Sequence, residues 1–233
     1  MNSTSRSHAA ERPVQISLGP VMLDGDLSIP HGARGIVVFA HGSGSSRRSP
    51  RNRSVAQVLR DGGLATLLFD LLTPAEEAMD LHTAHFRFDI DLLARRLVGA
   101  ADWLTQQPET STLRVGYFGA STGGGAALVA AAERPAAVGA VVSRGGRPDL
   151  AGAALARVRA PTLLIVGGHD PQVIALNRQA LAQLRAETWL EIIPGATHLF
   201  EEPGALEEVA RLARHWFLRH LRPDDVQQER QEA

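Results

Sequence analysis

A serine at a predicted strand-to-helix turn constrains the fold of this chain more than any other feature. The apolar residues of 115–118 predict a strand, residues 119–123 read Gly-Ala-Ser-Thr-Gly, and the Ala-rich residues 126–133 predict a helix. In a G-x-S-x-G turn the serine adopts a strained backbone conformation, so its oxygen projects above the sheet. We expect side chains at Gly119 or Gly123 to collide with a neighbouring strand or helix.

The rest of the chain predicts strands that alternate with helices. Residues 14–18 and 21–29 predict an antiparallel hairpin at a sheet edge. Further strands are expected at residues 36–40, 65–71, 113–118, 138–142, 161–166 and 188–193, and helices at 50–59, 88–106, 126–133, 150–158, 173–184 and 205–221. This alternation is typical of right-handed βαβ units, and it predicts an α/β fold with a mostly parallel, doubly wound sheet covered by helices on both faces.

Composition excludes several classes of function. The 233 residues include no cysteine, so disulfides, thiolate catalysis and Cys-ligated metals are excluded. The net charge is −1, which gives no general attraction to nucleic acid or to an anionic membrane. No apolar run approaches the length of a membrane span, and residues 1–12 lack the apolar core of a secretory signal. We therefore expect a cytoplasmic protein without nucleic-acid or membrane partners.

One domain accounts for most of the length. Residues 13–222 contain no repeat and no linker-like stretch, and we expect them to form that domain. Residues 1–12 predict a disordered lead-in, and residues 223–233 predict a polar tail. The edge hairpin or the last helix could pair two copies, so the sequence is compatible with a monomer or a homodimer.

Polar side chains fall just past the carboxyl ends of the predicted strands. They are His41, Asp70, Ser121, Arg144, Asp170 and His198. Ligands of parallel α/β sheets bind outside these strand ends, so we expect these side chains to share one crevice.

The order Ser121, Asp170, His198 predicts a catalytic triad. A serine hydroxyl needs a histidine as its base, and an acid fixes the tautomer of that histidine. The acid and the base follow an elbow serine in this order. An oxyanion hole is also required, and we assign its donors to the backbone N–H groups of Thr122 and Ser43.

With these residues the chain resembles a serine hydrolase of the α/β-hydrolase fold, in the dienelactone-hydrolase-like group. The resemblance rests on four short motifs in compatible order, at residues 41–44, 119–123, 167–170 and 195–198. Dienelactone hydrolases use a cysteine nucleophile, and here a serine stands in its place. The resemblance therefore implies cleavage of carboxylic esters through an acyl-enzyme without a cofactor, and it leaves lactones, thioesters and short peptides open as substrates.

Each candidate residue also has a purely structural interpretation. Ser121 could serve only a tight turn, Asp170 could cap the following helix, and His198 could pack in its loop. The alternative function is then a non-catalytic module that binds a small ligand on the same fold. His41 and Asp70 are candidates for substrate binding, although structural hydrogen bonds are favoured for both. His82 and His85 lie near Asp80 and Asp89, but their spacing fits no metal template, so no metal is expected.

Four arginines crowd the loop after the first glycine-rich turn: Arg47, Arg48, Arg51 and Arg53. Arg51 would lie in the first turn of a helix, where the helix dipole disfavours cations. Arg144 projects from another strand end on the same side. Surface solvation is one interpretation, and an anion subsite formed by Arg51 and Arg144 is the other. The short segment 143–160 leaves no room for a large cap domain, so we expect an open crevice for small acyl groups, partly covered by residues 73–85.

Overall fold

A computed structural model describes residues 11–222 of the chain. Its sheet has eight strands in the order β1-β2-β4-β3-β5-β6-β7-β8. The strands are β1 (Arg12–Leu18), β2 (Val21–Ser28), β3 (Ile36–Ala40), β4 (Ala65–Phe69), β5 (Val115–Ala120), β6 (Val138–Arg144), β7 (Thr162–Gly167) and β8 (Thr188–Ile193). β1 pairs with β2, and β2 with β4, in antiparallel fashion, and the remaining pairs are parallel. The predicted fold class and the edge hairpin are confirmed.

Helices cover both faces of the sheet, as expected. They are α1 (Pro50–Asp61), α2 (Pro74–Thr83), α3 (Ile90–Thr105), α4 (Thr122–Glu133), α5 (Pro171–Leu181) and α6 (Ala205–His220). α1 and α6 pack against each other on one face, and their apolar side chains form one core layer. α3, α4 and α5 contribute to the second layer on the opposite face. The central strands β3, β4, β5 and β6 are buried along their whole length, which explains their uninterrupted apolar runs.

The structure corrects several predicted boundaries around the crevice. β4 ends at Phe69 rather than residue 71, because the Leu71 N–H donates to the His41 ring instead of a neighbouring strand. β5 extends to Ala120, and α4 begins at once at Thr122 rather than at residue 126. The sequence predicted Arg144 just past the end of β6, but Arg144 is the last residue of that strand.

The segments expected to shape the crevice are short. Residues 73–85 hold α2, which begins with a capping box in which Thr73 and Glu76 bond each other's backbone N–H groups. Pro148–Arg157 form a 3-10 segment broken at Gly152, where the helix had been predicted. No large cap is present within the described residues, in agreement with the sequence.

The predicted lead-in covers residues 1–12, and β1 begins at Arg12. Of the predicted lead-in, residues 1–10 lie outside the described residues, as does the predicted tail over residues 223–233. Between residues 11 and 222 no helix is both long and apolar enough to cross a bilayer.

Candidate active site

Ser121 occupies a strained turn between β5 and α4. Its backbone angles are φ 51° and ψ −120°, a region that side-chain-bearing residues rarely adopt. The Gly124 N–H donates to the Ser121 carbonyl at 3.0 Å, so the helix starts immediately after the serine. The turn therefore has the geometry that a nucleophile elbow requires.

The glycines of the elbow are required by close backbone contacts, as predicted. A Cβ at Gly123 would lie 2.3 Å from the Ala40 carbonyl oxygen on β3. A Cβ at Gly119 would lie 2.4 Å from the carbonyl oxygen of Gly123 on α4. Both distances are far below van der Waals contact, so any side chain would push the helix away from the sheet.

His198 and Asp170 form the acid–base pair of the site. His198 Nδ1 lies 2.6 Å from Asp170 Oδ2. The other carboxylate oxygen, Oδ1, accepts the Val173 N–H at 3.4 Å, so Asp170 also caps α5. The side chain of Asp170 is 15% exposed and that of His198 is 39% exposed, so the acid is shielded while the ring faces solvent.

Ser121 and His198 line one cavity of about 230 Å³. Its other walls are provided by the turn after β3, the start of α1 and the end of β6, including Arg51, Asn52 and Arg144. No hydrogen bond joins the Ser121 hydroxyl to His198 among the interactions of residues 11–222. Such bonds are often long in free enzymes and shorten when substrate binds.

The proposed oxyanion donors lie beside each other. The Ser43 N–H donates to Thr122 Oγ1 at 3.0 Å, which links the turn after β3 to the first residue of α4. Thr122 is buried, and its own N–H belongs to the first turn of the helix. The two N–H groups therefore lie on adjacent segments, but that of Ser43 already has an acceptor.

His41 fixes the turn that carries Ser43. Its Nε2 accepts the Leu71 N–H at 3.1 Å, so Nδ1 carries the proton and donates to the Gly42 carbonyl at 3.0 Å. Burial lowers the pKa of His41, and the nearby carboxylates of Asp70 and Glu77 act in the opposite direction. Both ring nitrogens are bonded within the protein, which favours a structural role.

Asp70 also serves the scaffold. Its carboxylate accepts the Arg47 N–H at 2.8 Å and pairs with the Arg47 guanidinium. His41 and Asp70 line a separate cavity of about 110 Å³, where Leu71, Leu81 and Leu93 provide apolar walls. This cavity is lined by residues of α2, and it shares Gly42, Ser43 and Ser45 with the cavity that contains Ser121.

The predicted arginines divide into two groups. Arg47 and Arg53 pair with the carboxylates of Asp26 and of other acidic residues. Arg51 and Arg144 instead line the cavity that contains Ser121. The arginines of the loop therefore do not form a single cluster.

The histidines and carboxylates around α2 do not gather into one group of ligands within the described residues. Asp80 accepts the Phe86 N–H at 2.7 Å and pairs with Arg87. Across the described residues, no group of three or more His, Asp or Glu side chains could hold a metal ion.

Two residues at or beside the site, Asn52 and Phe200, could not be predicted from the sequence. Asn52 is buried in the cavity wall, and nothing in the sequence distinguishes it from other helix residues. Phe200 is buried at a φ of 55°, two residues after His198, and only the unusual backbone identifies it. Gly167 belongs to the motif at residues 167–170, and the structure explains why it is a glycine. A Cβ there would lie 2.4 Å from the Ala196 carbonyl, so glycine lets the histidine loop approach β7.

A family model decides the classification. The model described as "Dienelactone hydrolase family" matches residues 23–221. The chain belongs to the dienelactone hydrolase family. A crystal structure of a dienelactone hydrolase from Anabaena variabilis is 67% identical, covers 92% of this chain and 100% of that chain, and has a TM-score of 0.91.

More distant structures share the fold. A dienelactone hydrolase-like promiscuous phosphotriesterase from metagenomic libraries is 21% identical with a TM-score of 0.75, and covers 92% of this chain and 99% of its own. An esterase from Pyrococcus furiosus is 18% identical with a TM-score of 0.70, and the match covers 91% of this chain and 92% of that chain. These likenesses agree with the α/β-hydrolase fold, and the family model supports a hydrolase.

A curated relative carries a different name. A Mycobacterium tuberculosis protein named "Putative phosphoribosyl transferase" is 60% identical over 211 residues, which are 91% of this chain and 47% of that protein. The chain thus spans about half the length of the curated relative.

Proposed function

We propose that this member of the dienelactone hydrolase family cleaves carboxylic esters through a covalent acyl-enzyme on Ser121. The observation that carries the proposal is the combination of a strained elbow serine with a histidine–carboxylate pair at the wall of the same cavity. A turn that needed only a small residue would use glycine at φ 51°, because glycine avoids the strain.

His198 is the base in this mechanism. Because Asp170 accepts the proton carried by Nδ1, the lone pair of His198 lies on Nε2. Nε2 takes the proton of the Ser121 hydroxyl as Oγ attacks the ester carbonyl, and then passes it to the leaving alcohol. Water attacks the acyl-enzyme in the second half of the cycle, with His198 again as the base.

The oxyanion of the tetrahedral intermediate binds to the N–H groups of Thr122 and Ser43. The Thr122 N–H is oriented by α4, whose positive amino end favours negative charge. The Ser43 N–H must exchange Thr122 Oγ1 for the substrate oxygen. In this proposal Thr122 Oγ1 holds the donor in place until substrate arrives.

The apolar cavity under α2 suits a small acyl or alcohol group. This cavity of about 110 Å³ is lined by leucines from the segment after β4, from α2 and from α3. Long chains would have to extend into solvent. We therefore propose short-chain or otherwise compact substrates, among which lactones and thioesters belong to the same chemistry.

We assign no phosphoribosyl transfer to this chain. Its residues 23–221 match a hydrolase family, whereas the name belongs to a relative about twice as long. In our proposal that activity resides in the part of the longer protein that this chain does not match.

Hydrolysis of p-nitrophenyl esters of increasing acyl length tests the proposal. We expect cleavage of the short members, a decline with chain length, and no activity in Ser121→Ala beyond the blank. A fluorophosphonate probe should label the native protein and not Ser121→Ala, because labelling needs an activated serine. If the native protein neither cleaves any ester nor takes the label, the alternative of a non-catalytic binding module replaces this proposal.

A further inference from the structure

Arg144 is a buried cation without a carboxylate partner in the described part of the chain. It is 7% exposed, and its Nε is buried without a hydrogen bond. Its polar contact is a long one, from Nη2 to Asn52 Oδ1 at 3.5 Å. Its guanidinium also lies 5.7 Å from the centre of the Phe200 ring. Arginines this deeply buried are normally paired with an acid, because a guanidinium without one loses its hydration.

Arg51 adds a second positive charge to the same wall. Its Nε is also buried without a hydrogen bond, and its Nη1 donates to Glu201 Oε1 at 2.9 Å. Glu201 is 63% exposed, so this ion pair stands in water and is weak. Burial, and then the charge of Arg51, lower the pKa of Arg144 to about 10. The two positive charges therefore repel each other when no anion is bound between them.

The surroundings of both arginines favour an anion. Arg51 lies in the first turn of α1, which contains no acidic residue although the helix dipole would favour one there. None of the residues that line the cavity is acidic, and its polar walls include the serines 43, 45 and 49. Ser121 and His198 open onto the same space.

We propose that this cavity binds a phosphate monoester group of the substrate, with Arg144 as the fixed cation and Arg51 as the exchangeable one. The proposal rests on the proposed function, since it adds a recognition group to the ester that Ser121 attacks. Glu201 occupies Arg51 in the free protein, and the substrate anion displaces it. The substrate is then an ester or lactone that also carries a phosphate.

The count of charges and donors favours phosphate over carboxylate. Once Glu201 is displaced, two guanidinium groups face the cavity, and a phosphate monoester is close to dianionic at neutral pH. A carboxylate would leave one of the two charges uncompensated. Two guanidiniums also offer more donors than the two oxygens of a carboxylate need, whereas phosphate presents three terminal oxygens.

Three esters of similar length test this specificity: p-nitrophenyl butyrate, mono-p-nitrophenyl succinate and p-nitrophenyl 3-phosphonopropanoate. We expect kcat/KM to be highest for the phosphonate ester and lowest for the neutral one. Arg144→Met keeps much of the side-chain volume, and we expect it to lower the preference for phosphonate over butyrate about tenfold or more, mainly through KM. Arg178→Met, at an exposed arginine of α5 outside the cavity, is the matched control and should leave the preference unchanged.

Glu201→Gln should change KM in the opposite direction to Arg144→Met. Glu201 is exposed, so its substitution should not endanger folding. Removal of the competing carboxylate should lower KM for the phosphonate ester and leave the order of the three esters intact. Three results would overturn the proposal: no preference for phosphonate over butyrate, a preference for succinate over phosphonate, or an Arg144→Met variant that lowers all three rates equally.

Binding measured without catalysis separates this inference from the proposed function. Calorimetric titration of Ser121→Ala with inorganic phosphate at fixed ionic strength should give binding that Ser121→Ala/Arg144→Met lacks. Hydrolysis of butyrate without such binding would defeat the phosphate site and leave the esterase proposal standing. Arginine-dependent binding in a protein that hydrolyses no ester would defeat the esterase proposal and retain the site.

Discussion

His198 Nδ1 lies 2.6 Å from Asp170 Oδ2, while Oδ1 of the same carboxylate accepts the Val173 N–H at the start of α5. One carboxylate thus caps α5 and contacts the imidazole, so the two roles that the sequence offered as alternatives are compatible in a single side chain. The helix cap fixes the carboxylate, and the carboxylate orients the imidazole. The two roles can be separated by mutation, since they need different chemistry.

Asp170→Asn should keep the cap and lose the catalytic role. Asparagine is as good an N-cap as aspartate, but it cannot hold the tautomer and charge that His198 needs. We expect kcat to fall by about 10⁴-fold, the scale for replacing the acid by asparagine in a serine-protease triad, with little change in thermal stability. Asp170→Ala should lose about 1 kcal/mol of stability in addition. Ester hydrolysis and thermal denaturation of both variants test this. Equal stability of Asn and Ala variants would contradict the capping role.

Ser121→Gly should be inactive but more stable than Ser121→Ala. Glycine adopts φ 51° without the strain that any side chain incurs there. Relief of that strain is worth about 1–3 kcal/mol, less the extra unfolded-state entropy of glycine. Urea denaturation of the two variants measures the difference. An alanine variant as stable as the glycine variant would show that the elbow stores no strain.

Gly123→Ala should disrupt the elbow, while Gly44→Ala should be tolerated. The Cβ of the first would lie 2.3 Å from the Ala40 oxygen, whereas the second has no heavy atom within 4 Å. Alanine at position 44 would incur only the backbone strain of φ 70°, which lowers the stability by about 1 kcal/mol. The Gly123 change should cost more than that, because α4 must move away from β3. Comparable melting temperatures for the two variants would contradict the packing described here.

Acid should destabilise the turn that carries Ser43. Burial lowers the pKa of His41 below its ordinary value, so the unfolded chain binds a proton at a higher pH than the folded one. The contribution of His41 is therefore fully present above about pH 6.5 and is lost as the pH falls through the lower folded pKa. His41→Gln retains an acceptor for the Leu71 N–H and should show a smaller loss of stability between neutral and acidic pH.

A matched control separates this effect from general acid denaturation. His215 is exposed on α6, and His215→Gln makes the same histidine-to-glutamine change away from the turn that carries Ser43. Denaturant titrations from pH 7.5 to 5 measure all three proteins. A His41→Gln profile that parallels the native one would remove His41 as the source of the effect.

The sequence predicted the sheet and the helices on both faces because these depend on local patterns. Apolar runs, glycine pairs and the elbow motif each report a local requirement, such as the close approach at Gly123. The predicted boundaries of strands and helices were wrong where a tertiary contact determines the end of the element. β4 stops early because Leu71 bonds the His41 ring, and α4 starts early because the elbow leads directly into it.

The candidate site was less predictable than the fold. Which arginines face the serine depends on how α1 packs against the end of β6, and no local pattern contains that information. Arg47 and Arg51 look equivalent in the sequence, yet Arg47 pairs with acidic residues of the scaffold and Arg51 lines the cavity. Asn52 and Phe200 were missed for the same reason, because their roles arise only from three-dimensional contacts.

The central claim is the covalent acyl-enzyme on Ser121, and intact-mass spectrometry after rapid acid quenching tests it most directly. Native protein mixed with p-nitrophenyl acetate should gain the mass of one acetyl group within the first turnover, and peptide mapping should place it on Ser121. Ser121→Ala should gain none under the same conditions. Steady hydrolysis that depends on His198 but leaves no adduct, or an adduct on another residue, would contradict the mechanism.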